Sequence, residues 1–467
     1  MKRTLTAVLL ALCIFPLITG GAFAQGIFGP SKLTIRDENR LGKDFDSVIR
    51  SQMGIVEDPV ITDYVRGVVD RIVRAKAPMP FTIRSAVVAH PAMNAFAIPG
   101  GYIYIFTGLI QNVENESQLA AVIAHELGHV SQRHMAKRVE QASTVSKIAL
   151  VGSLAGLLLG MSGSGESGSA LMMGSMGAAQ AAMLKYSQDD ENEADHVGLN
   201  ALVKAGYNPE GMPRTFEIMQ KNRWFDTRSQ MPSYLSTHPG LAERTQYLKD
   251  RISRMPETFT DRRDDTTRLK RVQMLCRAKM SDPAQALAYW DTKSPAEFSA
   301  LDWTGKAIVL DRLKRKEDAR KAFETALALD DDDPLILREA GAFFFKLGDN
   351  NRAFVLLQKA LIKNPKDLMA VFFLARLQAE AGDFPRAISN MNKVLTKVPK
   401  DWEVHFYLGR FYGESGDMFH GHLHTAYSAL YQRNPKKARY HYQQAEHEAK
   451  SEVQKQELKK LDELLKG

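Results

Sequence analysis

The sequence predicts a protein of two unlike parts: an α+β unit that is mostly helical with a small sheet, and then an all-α solenoid of helix pairs. Three observations predict this fold class. Residues 122–130 form an apolar run that predicts a buried helix and contains His-Glu-x-x-His. Residues 95–106 alternate and are rich in aromatic and β-branched side chains, which is typical of strands. Beyond residue 255 the pattern is helical throughout and repeats regularly.

The helix predicted over residues 122–130 has the spacing of a metal site. His125 and His129 are four residues apart, so at ~3.6 residues per turn they stack on one face of the helix. Two imidazoles in that arrangement can hold one tetrahedral Zn²⁺. Glu126 then lies beside the metal as a catalytic base that takes a proton from bound water. The alternative is a core helix with two hydrogen-bonded histidines.

A third ligand is predicted in the acidic segment that precedes the next apolar helical pattern. Glu191 and Asp195 are four residues apart and therefore share one face of that helix. Glu191 could supply the oxygen ligand that completes a His₂Glu site, while Asp195 accepts the free ring N–H of a ligand histidine. Glu193 falls on a different face. The alternative is an acidic first turn favoured by the helix dipole.

The alternating segment predicts two short strands joined by a turn at Pro99-Gly-Gly101. If one strand lies at the edge of the sheet, Asn94, Ala95 and Phe96 could pair with an extended substrate through main-chain hydrogen bonds. Plain sheet core explains the pattern equally well.

His238 lies in Ser-Thr-His-Pro, before a predicted turn. Three interpretations stay open: a catalytic residue that stabilises the oxyanion, a fourth zinc ligand that keeps the enzyme latent until it is displaced, or a loop residue. Arg244 could anchor this loop to Asp195, although a solvated surface arginine is the favoured interpretation. His134, five residues after His129, is predicted to be structural on another helical face.

These motifs resemble the HtpX/Ste-type family of zinc metallopeptidases. The likeness spans roughly residues 30–255 and rests on four segments: His125–His129, Glu191–Asp195, Asn94–Leu109 and Ser236–Pro239. It implies a zincin-like metallopeptidase domain over residues 25–256, with one Zn²⁺ per chain. The first carboxylate of the Glu-x-x-x-Asp pair is the zinc ligand in this family, which implies Glu191.

The C-terminal part repeats with the 34-residue spacing of tetratricopeptide (TPR) repeats. Residues 300–467 are therefore predicted to form a TPR solenoid that ends in a polar cap, after a connector and helical lead-in over residues 257–299. The concave face of such a solenoid commonly binds peptides or proteins. The spacing is seen in three sets of residues: Ala319, Ala353 and Ala387; Gly348, Gly382 and Gly416; Pro365 and Pro399.

A peptidase domain followed by TPR repeats resembles the BepA-type periplasmic branch of that family. The resemblance implies work in the assembly and quality control of outer-membrane proteins. Unfolded or misassembled proteins are then the expected substrates, and the outer-membrane assembly machinery is an expected partner.

Residues 1–24 predict a secretory signal peptide. Lys2 and Arg3 precede an apolar stretch, and Ala22-Phe-Ala24 provides an A-x-A cleavage site. Removal of this segment leaves Cys276 as the single cysteine, which excludes an intrachain disulfide framework. The signal peptide and the family together predict a periplasmic location.

Residues 145–184 are rich in Gly, Ala, Ser, Met and Leu. Their apolar runs are shorter than the ~20 residues that a spanning helix needs, so a lid or membrane-contacting flap is favoured over a transmembrane hairpin. The net charge of +8 is spread over both signs without a stripe of basic and aromatic residues, which argues against nucleic-acid binding. His420, His422 and His424 are interpreted as surface histidines.

The sequence therefore predicts an exported zinc endopeptidase that acts on misfolded or unassembled envelope proteins and uses its TPR part to dock substrates or partners. The competing hypothesis is a chaperone-like TPR scaffold in which the peptidase site is latent or rarely used. Both predict bound zinc and a protein partner.

Overall fold

The computed structural model describes residues 32–76, 78–141, 187–222 and 234–466. The predicted signal peptide and the predicted lid over residues 145–184 lie outside the described residues. Contacts group the chain up to Ser281 into one unit and the chain from Asp282 onward into a second. The finer domain bounds given above stay predictions.

The first unit is mostly helical and contains three strands among its described residues. Its elements are α1 (Ile35–Gln52), α2 (Pro59–Ala75), β1 (Arg84–Val88), β2 (Ala95–Ile98), β3 (Tyr102–Phe106), α3 (Thr107–Asn112), α4 (Glu116–Ser131), α5 (His134–Gln141), α6 (Gln188–Lys204), α7 (Gly211–Asn222), α8 (Tyr234–Thr237), α9 (Leu241–Ser253), α10 (Glu257–Thr260) and α11 (Thr267–Leu275), followed by a π-helical turn (Cys276–Met280).

The strands form one three-stranded sheet in the order β1-β3-β2. β1 runs parallel to β3, and β2 runs antiparallel to it. The predicted small sheet is confirmed, and β1 adds a strand that the sequence pattern did not reveal. β2 lies at an edge of this sheet, where its outer side has no strand partner among the described residues.

α4 is the central helix of this unit. Asn115 caps its start by accepting a hydrogen bond from the main-chain N–H of Gln118. Every residue from Ser117 to Val130 is buried, so the helix has no solvent-facing side. At its other end, Lys76 Nζ donates to the main-chain oxygen of Leu127, where a cation suits the negative end of the helix dipole.

α4 and α6 approach so closely that their backbones touch. A Cβ placed on Gly128 would lie 2.7 Å from the main-chain oxygen of Ala194, and one on Gly198 would lie 2.9 Å from that of Ala124. Both distances are too short for a real Cβ atom, so only glycine fits on either helix at this crossing. The crossing brings the carboxylates of α6 against the histidines of α4.

The second unit consists of helix pairs. Its elements are α12 (Pro283–Asp291), a 3₁₀ turn (Pro295–Glu297), α13 (Ala300–Arg312), α14 (Lys316–Leu329), α15 (Pro334–Lys346), α16 (Asn350–Lys363), α17 (Leu368–Glu380), α18 (Phe384–Lys397), α19 (Trp402–Glu414), α20 (Met418–Tyr431), α21 (Pro435–Glu448) and α22 (Glu452–Lys466).

The predicted repeat register agrees with these helices. Ala319, Ala353 and Ala387 are completely buried. Gly348 and Gly382 have φ of +82° and +79° in the turns between paired helices, a conformation that favours glycine. Successive first helices α13, α15, α17 and α19 contact one another more extensively than the second helices α14, α16 and α18 do, so the first helices line the inner, concave side.

Within the described part of the chain, no helix is both long enough and apolar enough to span a membrane.

Gly198→Ala should lower the free energy of unfolding by about 1–3 kcal/mol, because the added methyl group forces apart two backbones in contact. It should also weaken metal binding, since Glu191 moves with α6. Urea unfolding and chelator competition measure the two effects. Gly67→Ala is the matched control: Gly67 is an exposed helical glycine with nothing within 4 Å of its added Cβ. Unchanged stability and metal affinity in Gly198→Ala would contradict the crossing described above.

Candidate metal centre

Four buried side chains converge where α4 crosses α6. They are His125, His129, Glu191 and His238, and each offers one ligand atom within 4.8 Å of the others. The Nε2 atoms of His125 and His129 are 3.0 Å apart. Glu191 Oε2 lies 3.4 Å from His125 Nε2, and its Oε1 lies 3.5 Å from His129 Nε2. A tetrahedral ion with bonds of about 2.0–2.1 Å holds its ligand atoms about 3.3 Å apart, so the two imidazole nitrogens and the Glu191 carboxylate have a spacing that suits such an ion.

His238 enters this group from the segment that follows α8. Its Nδ1 atom lies 2.9 Å from Glu191 Oε1 and 3.3 Å from His125 Nε2, close to the 3.0–3.5 Å of the other pairs. Gly240, with φ of +75°, lies two residues later at the start of α9 and turns the chain away from the centre. The sequence-predicted ligands and His238 are thus all brought together.

Asp195 lies directly behind His125. Its Oδ1 atom is 2.9 Å from His125 Nδ1, the arrangement that fixes the ring orientation of a metal-binding histidine. Burial opposes a charge on His125, yet the hydrogen bonds to Asp195 and Glu191 raise the pKa of His125 to about 9. This carboxylate–histidine pair is the one that the four-residue spacing predicted.

Arg244 is buried at this centre, so the expectation of a solvated surface arginine was wrong. Its side chain is 4% exposed, and its Nε and Nη2 atoms each lie 2.7 Å from an oxygen of Asp195. Nη1 contacts Glu191, and the guanidinium lies over the ring of Phe216. A buried charge is stable only when it is paired, and here one cation faces two carboxylates.

His134 supports His129 from the other side. The two Nδ1 atoms are 2.8 Å apart, and His134 Nε2 lies 3.0 Å from Glu193 Oε2. Helix α4 ends at Ser131. Arg133, with φ of +56°, then redirects the chain so that His134 lies against His129. The structural role predicted for His134 stays a prediction, but its contact with His129 was missed because the helical spacing does not continue past Ser131.

Glu126 is buried beside this group, between the histidines and β2. Burial raises the pKa of Glu126, while His238, His125 and the main-chain N–H of Ala97 act in the opposite direction. Glu191 has the opposite balance: burial would raise its pKa, but His238 and the hydrogen bonds from His125 and His129 hold it well below the usual range. The pKa values of these two neighbouring carboxyl groups are therefore shifted in opposite directions.

The strand β2 presents alternate residues to its open edge. The N–H of Phe106 donates to Asn94, which fixes the hydrogen-bonding pairs of the antiparallel ladder. By this alternation Asn94 and Phe96 direct their main-chain groups toward β3, whereas Ala95 and Ala97 direct theirs outward. Of the three candidate substrate-binding residues Asn94, Ala95 and Phe96, only Ala95 directs its main-chain groups to the open edge, and Ala97 does so as well. Substrate binding there stays a prediction.

The comparisons with known proteins bear on both units. Residues 59–252 match the model of peptidase family M48. The first unit is an M48 peptidase domain. Residues 304–367 and 344–405 match tetratricopeptide repeat models, which confirms the predicted solenoid type.

The chain is also similar to proteins that are named as proteases. The chain is 26% identical over 338 residues to the beta-barrel assembly-enhancing protease of Escherichia coli (strain K12), an alignment that covers 70% of this chain and 68% of that protein. It is 33% identical over 162 residues to the mitochondrial metalloendopeptidase OMA1 of Arabidopsis thaliana, covering 35% and 30%. The crystal structure of YrrB, a TPR protein with an unusual peptide-binding site, aligns with 38% of this chain and 91% of its own at 19% identity and a TM-score of 0.31.

The three histidines on α20, interpreted above as surface histidines, are each partly buried, and each lies against another side chain. His422 Nδ1 lies 3.1 Å from His441 Nδ1. His420 Nδ1 lies 2.6 Å from Asp417. His424 Nδ1 lies 2.9 Å from His405 Nδ1, and burial lowers the pKa of His424 to about 3. Only the cluster around His125 combines three or more metal-ligating side chains in the part of the chain that the structure describes.

Asp195→Asn should weaken metal binding about 10–100-fold, because the histidine loses the carboxylate that fixes its ring. Chelator competition with the purified chain measures the affinity. Asp189→Asn removes the same charge from an exposed position of α6 and serves as the control. Equal affinities in both variants would show that Asp195 does not orient His125.

Proposed function

We propose that this protein is a zinc-dependent endopeptidase of the bacterial periplasm that cleaves misfolded or unassembled envelope proteins during outer-membrane protein assembly. The single observation that carries the activity is the buried group of His125, His129 and Glu191, with Glu126 beside it. Two imidazoles and one carboxylate at tetrahedral spacing suit Zn²⁺, with one ion per chain. When bound, zinc polarises a peptide carbonyl and makes water acidic enough to deprotonate near neutral pH.

The residues around the metal site then have separate roles. Glu126 takes the proton from the attacking water and passes it to the leaving amine, and its raised pKa suits that transfer. Glu191 stays ionised and completes the ligand set. Asp195 holds His125 in one orientation, and Arg244 fixes Asp195 in turn.

His238 is proposed to be a fourth ligand that closes the site. Its Nδ1 atom shares the spacing of the other three ligand atoms, and its Nε2 atom lies 3.6 Å from Glu126 Oε1. A catalytic zinc keeps one position for water, so His238 must leave before water enters. Among the interpretations left open by the sequence, this spacing supports the ligand that keeps the site closed.

The open edge of β2 is the proposed substrate-binding strand. An extended polypeptide would pair with the outward main-chain groups of Ala95 and Ala97, next to Glu126. Main-chain pairing gives affinity with little sequence preference, which suits a protease of unfolded proteins. Extended, unfolded chains are therefore better substrates than folded proteins.

The TPR unit is proposed to dock substrates or partner proteins, and the outer-membrane assembly machinery is one proposed partner. The relative that aligns with 70% of this chain is named for beta-barrel assembly, which supports that context. The proposed periplasmic location rests on the predicted signal peptide and the family resemblance. A peripheral membrane contact through residues 145–184 remains part of the proposal. The alternative of a chaperone-like scaffold with a latent site is not favoured, because that relative is named a protease and the M48 domain is present.

Glu126→Gln should abolish cleavage of an unfolded protein substrate while the chain keeps about one zinc. The loss should be at least about 10²–10⁴-fold, the usual contribution of a general base. Metal analysis and a gel-based degradation assay measure the two properties, and Glu257→Gln, at an exposed position, is the control. Cleavage by Glu126→Gln at the wild-type rate would rule out this base. Absence of zinc from the active wild-type protein would rule out the metal.

His238→Ala should cleave faster than the wild type and retain its zinc, because three ligands remain and the fourth position opens. If coordination by His238 holds the site closed by about 1.4 kcal/mol, the gain is about tenfold. Initial rates on an unfolded substrate and the zinc content give the result. Slower cleavage with full zinc would instead assign His238 to the oxyanion alone, and an unchanged rate would make it a loop residue.

A further inference from the structure

The guanidinium of Arg376, on α17, lies among four aromatic rings of the TPR unit. Its central carbon is 4.3 Å from the ring centroid of Tyr407 and 4.8 Å from that of Phe345. Phe372 and Phe373 complete the enclosure at 5.6 Å and 5.7 Å. Cation–π attraction acts within about 6 Å and holds the guanidinium in place. Arg376 and these four rings are called the arginine cage below.

The arginine cage is built across three repeats on the concave side. Phe345 belongs to α15, Arg376 to α17 and Tyr407 to α19, which are successive first helices. Arg376 is partly exposed, so solvent reaches the guanidinium. Beside the cage, Phe406 is 43% exposed and lies 5.2 Å from the ring of Tyr407. The cage therefore opens onto a surface that already carries an uncovered aromatic ring.

Arg376 has no carboxylate partner among the described residues, whereas other arginines of this unit have one. Arg338 is paired with Glu339 and Asp367, and Arg352, which also lies over an aromatic ring, is paired with Glu324. No carboxylate of the described residues comes within 4.0 Å of the Arg376 guanidinium. Its Nε atom is inaccessible to solvent and has no acceptor among them. The two terminal Nη groups are not among the inaccessible atoms without a partner, so they are the donors that an incoming acceptor can reach.

Glu403, on α19, is a carboxylate whose pKa responds to the charge of Arg376. Burial raises the pKa of Glu403, and Arg376 acts in the opposite direction. The two groups are nevertheless farther apart than an ion pair. The donors of Arg376 are thus available to an external anion.

We propose that the arginine cage binds the carboxylate side chain of an Asp or Glu residue that is flanked by aromatic residues in an extended client polypeptide. This inference rests on the proposed docking role of the TPR unit and names what it recognises. The planar guanidinium can donate two parallel hydrogen bonds to one carboxylate. Because it is recessed among the rings, a carboxylate on a side-chain stem reaches it while the peptide backbone stays at the rim. The flanking aromatic residues then pack on Phe406.

The test uses the full chain with Glu126→Gln, so that binding is measured without cleavage. The probe is a fluorescent nonapeptide, capped at both ends, with Phe-Glu-Phe at its centre, and the matched peptide carries Phe-Gln-Phe. Fluorescence anisotropy should give about tenfold tighter binding of the glutamate peptide, which corresponds to ~1.4 kcal/mol. Equal affinity for the two peptides would overturn the proposal. A preference only for an uncapped C-terminal carboxylate would also overturn it.

Arg376→Met should remove the preference for glutamate, because methionine fills the space under the rings without a charge. Arg352→Met is the matched control: it removes an arginine that also lies over an aromatic ring, on the second helix α16. This control should keep the tenfold preference. Retention of the preference by folded Arg376→Met would overturn the proposal.

If Arg376→Met fails to fold, as thermal unfolding would reveal, Arg376→Lys replaces it. Lysine keeps the charge but loses the two parallel donors, so the preference for glutamate should shrink in a folded chain. An undiminished preference in this variant would overturn the role of the guanidinium. Peptide binding is scored separately from cleavage, so failure of the proposed peptidase activity would not be mistaken for failure of the arginine cage.

Discussion

The contact between the backbones of α4 and α6 is the constraint on which the first unit depends. Gly128 and Gly198 remove the side chains that would otherwise separate these helices. Metal ligation tolerates errors of only about 0.2 Å in ligand distances, whereas an intervening methyl group would displace α6 by far more. The crossing therefore decides whether Glu191 meets the two histidines of α4, and Asp195 reaches His125 by the same approach.

Positively charged and ionised side chains of this buried centre pair with one another, since no solvent is available to stabilise them. Although burial opposes ionisation, Arg244 holds the pKa of Asp195 low, and His238, His125 and His129 do the same for Glu191, so both carboxylates favour the ionised form. Glu126 lacks such a partner, and burial raises its pKa. Neighbouring carboxyl groups with opposite shifts are a common basis for separate roles in one site. The arginine that sequence reasoning assigned to the surface thus stabilises the charge of Asp195, the carboxylate behind His125.

The parts that could be predicted from sequence are those with a local period. The four-residue spacings of His125 with His129 and of Glu191 with Asp195 place these side chains on helix faces, and the 34-residue repeat defines the solenoid. Arg244 and His134 could not be found in this way. Arg244 reaches the centre only through packing between distant helices, and the turn at Arg133 breaks the helical spacing before His134. β1 was missed because its five residues lack a clear alternation.

The alternation along β2 also constrains what can lie against it. Only Ala95 and Ala97 offer outward main-chain groups, so a strand added there exchanges hydrogen bonds at every second residue. Proline has no N–H to give and is tolerated only at the intervening residues. Main-chain pairing alone, without recognition of any side chain, thus constrains every second residue of the bound strand. Where prolines fall along an unfolded chain would decide which registers can reach the buried glutamate.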